Sequence, residues 1–149
     1  NTLNNRGAIY WETKRFKEAE ADYSDALDIR RQLAKENPAA FRRDLANTLN
    51  NRGLVYWETK RFKEAEADYS EALDVTRHLV EVNPTLYGAV LVRRVSGLLA
   101  TFQAIGDSQA CTNASENLPS SISTDLRALV NSLRLNLCSG SGANASQPR

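Results

Sequence analysis

Asn47-Thr48-Leu49-Asn50-Asn51-Arg52-Gly53 repeats Asn1-Thr2-Leu3-Asn4-Asn5-Arg6-Gly7 residue for residue, and Tyr56 through Ser70 then restates Tyr10 through Ser24 without a change. At this offset of 46, 29 of the 38 positions from Asn1 to Pro38 are identical to those from Asn47 to Pro84. A period of that size marks stacked supersecondary units, each too small to bury its apolar face alone. Within a unit, Leu49, Leu54 (or Val55) and Tyr56 predict a first helix over about 39–57, and Phe62, Ala65, Tyr69, Ala72, Leu73 and Val75 a second over about 62–82. Thr59-Lys60-Arg61 reads as the turn between them. Asn37-Pro38 and Asn83-Pro84 punctuate the units, because proline cannot continue a helix but suits the first turn of the next one. The sequence contains no β-type alternation.

Gly7 and Gly53 fall inside the first helices. Glycine there costs about 1 kcal/mol relative to alanine. These positions therefore read as places where two helix backbones touch, with Tyr10, Tyr23, Tyr56 and Tyr69 filling the space beside them.

Gly53, Tyr56, Ala65, Tyr69 and Ala72, with Phe62 at the turn, and their copies Gly7, Tyr10, Ala19, Tyr23 and Ala26, resemble the tetratricopeptide repeat signature. The long period, the Leu-Asn-Asn start and the Glu-Ala-Glu segment are similar to the long-helix repeats of kinesin light chains and their bacterial relatives. The resemblance covers residues 1–84. It implies an all-α fold, a right-handed α-α superhelix, with regular repeats at 1–46 and 47–92. Shifted by another 46, Pro84 to Leu118 reads as a decayed third unit that keeps Tyr87, Val95, Phe102 and the Gly106-Asp107 turn. It carries Leu99 at the glycine position, Cys111 at an alanine position and Ser115 at the tyrosine position, so the degenerate repeat is set at 93–118. A capping helix is expected at 121–138, N-capped by Ser121 or Ser123, with Ile122, Leu126, Leu129, Val130, Leu133 and Leu137 on one face. The solenoid is thus expected over 1–138. Residues 139–149 hold no core former and are expected to form a disordered tail.

Composition narrows the function. Lys plus Arg is 19 and Asp plus Glu is 18, a net charge of +1, which argues against a nucleic-acid partner. The basic Lys14-Arg15-Phe16-Lys17 and Lys60-Arg61-Phe62-Lys63 segments are offset at once by Glu18, Glu20, Glu64 and Glu66. No uninterrupted apolar run approaches the ~20 residues that span a bilayer, so no membrane insertion is expected. The one histidine, His78, has Gln32 as its counterpart, and no metal-ligand spacing, phosphate loop or nucleophile motif occurs. Neither an enzyme nor a metal or cofactor is expected. Methionine is absent and the sequence opens inside a repeat, so a piece of a longer chain or a processed product is expected.

In proteins of the resembled family the first helix of each pair lines the inner groove. This assigns Asn1, Asn4, Asn5, Trp11, Glu12, Asn47, Asn50, Asn51, Trp57, Glu58 and Arg93 to a peptide-binding groove. A carboxamide both donates and accepts, so it can hold the N–H and C=O of a passing backbone. Asn5 and Asn51 fall where related repeats carry an asparagine ladder. The alternative is that the amides bond neighbouring helices, that Trp11 and Trp57 pack between repeats rather than anchor a ligand, and that Glu12 and Glu58 pair with Arg6 and Arg52. The carboxylate clamp of some relatives is not expected, because Asn4, Ala8 and Gly97 replace residues it needs. Two functions compete: capture of a protein or peptide partner in the groove, and end-to-end self-association through an open edge at Leu3, Ile9 and Tyr10.

Cys111 and Cys138 are compatible with a disulfide between the cap and the third unit and equally with two reduced thiols. Cys138 lies 19 residues past Pro119, far enough to overshoot Cys111 on an antiparallel path. A cytoplasmic setting is the default, and a secreted one follows if the two pair. Asn113-Ala114-Ser115 and Asn144-Ala145-Ser146 match the glycosylation sequon, which matters only in a secretory setting.

Overall fold

The structure, a computed structural model, describes residues 2–139. These form seven helices and no strand: α1 (Thr2–Glu12), α2 (Phe16–Glu36), α3 (Pro38–Glu58), α4 (Phe62–Val82), α5 (Pro84–Ile105), α6 (Ser108–Glu116) and α7 (Thr124–Cys138). Local chemistry sets their ends. The Asn37 and Asn83 side chains accept from the backbone N–H of Ala40 and Leu86, and Pro38 and Pro84 occupy the first turns of α3 and α5. The α3–α4 turn closes with Arg61 N–H on the Tyr56 carbonyl at 2.8 Å and Lys60 N–H on that of Trp57 at 3.0 Å. This is a Schellman closure with lysine, at φ 60°, where glycine is usual. The Arg61 guanidinium lies 4.4 Å from the Tyr56 ring centroid, and Arg15 repeats this over Tyr10.

From α1 to α5 successive helices stack on one another as a solenoid, and α7 then packs more on α5 than on α6. In the first two pairs the glycines make close contacts. A Cβ on Gly7 would lie 2.9 Å from Tyr23 Cε1, and one on Gly53 2.8 Å from Tyr69 Cε1. One residue earlier on each helix, Arg6 grips Asp22 with two bonds of 2.6 Å and Arg52 grips Asp68 with two of 2.8 Å. In the third pair the counterparts of Arg52, Gly53, Asp68 and Tyr69 are Leu98, Leu99, Ala114 and Ser115. Bulk has moved from the second helix to the first, with Leu99 and Ser115 both buried.

The largest core cluster joins α3 to α7 around Tyr69, Leu73, Leu91, Val95, Leu99 and Val130. At its centre, α5 has 22 residues and is long and apolar enough, by length and composition, to cross a membrane. Uninterrupted apolar runs do not reveal this, because Arg93 and Arg94 divide the helix. Half of that apolar window is buried, with Leu91, Val95 and Leu99 in the main core cluster.

Whereas α2 and α4 have 21 residues each, α6 has nine. Residues 117–123 run on without helix, and Ser123 caps α7, which starts at Thr124 rather than 121. Gly88 faces Leu126 near the starts of α5 and α7. Cys111, beside the Leu99 carbonyl, is bonded to Cys138 as a disulfide with Cα atoms 5.7 Å apart. So α7 runs alongside α5 in the same direction. The expected overshoot does not arise, because α6 stops early and the 117–123 segment returns the chain to the level where α5 begins. Leu129 is 48% exposed, unlike the rest of its expected face. At 3.6 residues per turn it sits about 60° off the stripe through Leu126, Val130, Leu133 and Leu137. Asn1, Asn144 and all but Ser139 of the expected tail lie outside the described residues.

Helix propensity alone would have Gly53→Ala stabilise by about 1 kcal/mol. The Tyr69 ring reverses that sign, and a net loss of about 1–3 kcal/mol is expected from overpacking. Gly88→Ala, which meets only a methyl at the end of the Leu126 side chain, is expected to be neutral or stabilising; urea midpoints of the two variants measure the contrast. The Arg6 guanidinium, through its hydrogen bonds, holds the Asp22 carboxyl below its ordinary value. The folded pKa therefore lies below the unfolded one, so the stabilisation is complete above the unfolded value and is lost as pH falls through the folded one. Asp22→Asn is expected to lower the midpoint at neutral pH and to flatten the acid limb below about pH 4, as read from a series of urea titrations across pH.

Candidate functional site

Three first helices, α1, α3 and α5, present one residue group to a common cavity. It has a volume of about 310 Å³ and is lined by Asn4 of α1, by Asn47, Asn50 and Asn51 of α3, and by Val90, Arg93 and Arg94 of α5. Of the residues expected in a groove, Asn4, Asn47, Asn50, Asn51 and Arg93 meet here. Asn5, Trp11, Glu12, Trp57 and Glu58 do not line it.

The amide orientations follow from what lies behind them. Asn4 Oδ1 accepts from Arg30 Nη1 at 3.2 Å, from the Thr48 hydroxyl at 3.1 Å and from Asn51 Nδ2 at 3.5 Å. Asn47 Oδ1 accepts from Arg94 Nη2 at 2.7 Å. Among the described residues this leaves Nδ2 of Asn4 and of Asn47 as open donors, Oδ1 of Asn51 as an open acceptor, and the Asn50 amide free for both.

The wall is also positive. Arg94 is 4% exposed and bonds the Ala72 carbonyl, the Thr76 hydroxyl and Asn47, none of them a carboxylate. Burial, helped by the nearby charge of Arg93, pulls its pKa down to about 10. Among the described residues no carboxylate lines the cavity. Behind Asn4, the buried Arg30 donates to the Asp44 carbonyl and the Thr48 hydroxyl, with the Asp44 carboxylate 4.0 Å away. Arg30, Thr48, Thr76 and Arg94 were not among the residues the sequence assigned to the groove. Their signal was present as a reciprocal mismatch at offset 46, Arg30 against Thr76 and Thr48 against Arg94.

Trp11 is half-buried against Ala19, Tyr23 and Val55, its indole N–H buried without a partner among the described residues. Trp57 lies half-buried on the main core, with Phe62 edge-on at 5.0 Å. Glu12 and Glu58 are exposed, and the guanidiniums of Arg6 and Arg52 go to Asp22 and Asp68 instead. Asn113 sits in the middle of α6 and accepts from Gln109, while the sequon hydroxyl of Ser115 is buried on the Thr112 carbonyl. Among the described residues no group of His, Cys, Asp and Glu is placed to hold a metal ion.

Residues 1–78 match the family model described as tetratricopeptide repeat. No curated protein matches the chain. Among solved structures, the crystal structure of BtubC (BKLC) from P. vanneervenii is similar, with a TM-score of 0.67 at 22% sequence identity. That likeness covers 99% of this chain and 50% of the other, so the chain spans about half the length of the protein it resembles. At this identity the likeness is one of fold.

Proposed function

The chain belongs to the tetratricopeptide repeat family, and from that premise we propose that its inner groove holds a peptide or helix of a partner protein against Asn4, Asn47, Asn50, Asn51 and Arg93. Repeats of this family mediate protein–protein interaction and are non-catalytic scaffolds. The observation that carries the reading is the convergence of four carboxamides and two guanidiniums, from three separate helices, on one cavity. The open Nδ2 groups of Asn4 and Asn47 suit peptide carbonyls, and Oδ1 of Asn51 suits a peptide N–H. Val90 supplies an apolar floor. Asn5, Glu12 and Glu58, exposed on α1 and α3, extend the contact beyond the cavity, and Trp11 and Trp57 brace the helix pairs behind it. The apolar character of α5 is read as core packing, with no membrane role. The Cys111–Cys138 bridge supports an oxidising compartment.

A second reading, end-to-end self-association, rests on a different observation. Ile9 is 58% and Ile29 53% exposed, whereas Val55, the counterpart of Ile9, is fully covered by the neighbouring pair. A cavity of about 400 Å³ lined by Leu3, Ala26, Ile29, Leu33 and Phe41 among others opens at that end.

Random peptides displayed on phage and selected on the immobilised chain give the probes. Asn50→Ala/Asn51→Ala is expected to weaken the selected peptides about tenfold to a hundredfold, on the order of one to two lost hydrogen bonds, with an unchanged thermal midpoint. Unchanged affinity would remove the groove reading. Sedimentation velocity addresses the second reading: concentration-dependent oligomers that Ile9→Glu abolishes favour assembly, and a monomer at every concentration counts against it.

A further inference from the structure

The two second helices, α2 and α4, are so alike that little in them tells a following first helix which one to pack on. They differ at seven of 21 positions. Only one of the seven, Arg30 against Thr76, is buried in both helices. The helices that face them differ in the opposite sense, with Thr48 on α3 where α5 has Arg94. At the α2–α3 junction the guanidinium comes from the second helix and reaches the Thr48 hydroxyl. At the α4–α5 junction it comes from the first helix and reaches the Thr76 hydroxyl. Each guanidinium also takes a backbone carbonyl across the junction at 3.0 Å, Asp44 for Arg30 and Ala72 for Arg94, and the carboxamide oxygen of a groove asparagine, Asn4 or Asn47.

We propose that this inverted Arg–Thr pair is a stacking key, which fixes the order of near-identical helix pairs and rejects packing out of order, within one chain or between two copies. The discrimination works by exclusion. Packing α5 on α2 would bury Arg30 and Arg94 against each other, two desolvated cations sharing one site. Packing α3 of a second copy on α4 would set Thr48 against Thr76, with no guanidinium to fill the space or to satisfy the carbonyl and carboxamide that await it. Only the native order places one guanidinium and one hydroxyl at every junction.

Three variants test the key. Thr76→Arg alone opposes two guanidiniums, and Arg94→Thr alone opposes two hydroxyls. Thr76→Arg/Arg94→Thr restores a pair, now in the orientation of the first junction, where the Val90 carbonyl and Asn50 stand at the positions of the Asp44 carbonyl and Asn4. Each single change is expected to lower the urea midpoint, and the double to recover most of the loss. Because the double variant carries the same key at both junctions, it is expected to lose order. After unfolding in urea and refolding at high concentration, with the disulfide kept oxidised, size-exclusion chromatography is expected to show several-fold more swapped oligomer than the parent. A double variant no more stable than the two single losses combined would show that no pairing exists. One that recovers stability yet refolds as cleanly as the parent would show that the pair holds the stack without selecting its order.

Discussion

A tyrosine ring can rest within 3 Å of where a glycine Cβ would be only if two helix backbones come unusually close, and that approach, at Gly7–Tyr23 and Gly53–Tyr69, governs each regular pair. The bidentate Arg6–Asp22 and Arg52–Asp68 contacts sit immediately beside it, so packing and ion pairing fix the same point on each helix. The third pair abandons both devices together. Leu98 and Leu99 face Ala114 and Ser115, which gives an apolar contact of similar volume but no ionic grip. The shortened α6 and the disulfide-linked α7 belong to this change: where the pair is no longer clasped within itself, an extra helix and a covalent bond hold it from outside.

Stability and the proposed binding are connected through the carboxamides. A buried guanidinium needs acceptors, and Arg30 and Arg94 find some of theirs in Asn4 and Asn47. Each asparagine thereby commits its oxygen to the stack and keeps its NH₂ open. The orientation that a peptide carbonyl would require is supplied by the interior of the solenoid rather than by the ligand, so the donors are set before anything binds. The positive wall arises in the same way, since Arg94 is buried for packing reasons with no carboxylate beside it.

Much of the fold was legible because duplication writes each helix twice. The Phe62–Val82 helix matches its expected span, and the Asn-Pro caps follow directly from residue chemistry. The C-terminal third was harder to read. There the copy has diverged, α6 ends after nine residues with no proline or glycine at its last turn to announce it, and the course of 117–123 depends on tertiary packing. Asn50, Asn51 and Arg93, which the family resemblance assigns to a groove, line one cavity with Asn4 and Asn47. The hydrogen-bond directions at Asn4 and Asn47 were not legible, because they depend on arginines contributed by other helices. Trp11 and Trp57, which the sequence leaves between ligand anchors and packing between repeats, are each half-buried on a core cluster.

The covalent link between Cys111 and Cys138 closes a segment with a sequence separation of 27 over the α5–α7 end of the stack. At the opposite end, α1 rests chiefly on α2 without any such link. Among the described helices the fastening is therefore uneven: the α6–α7 end is tied by a covalent bond, whereas the α1–α2 and α3–α4 pairs are held by packing and ion pairs alone.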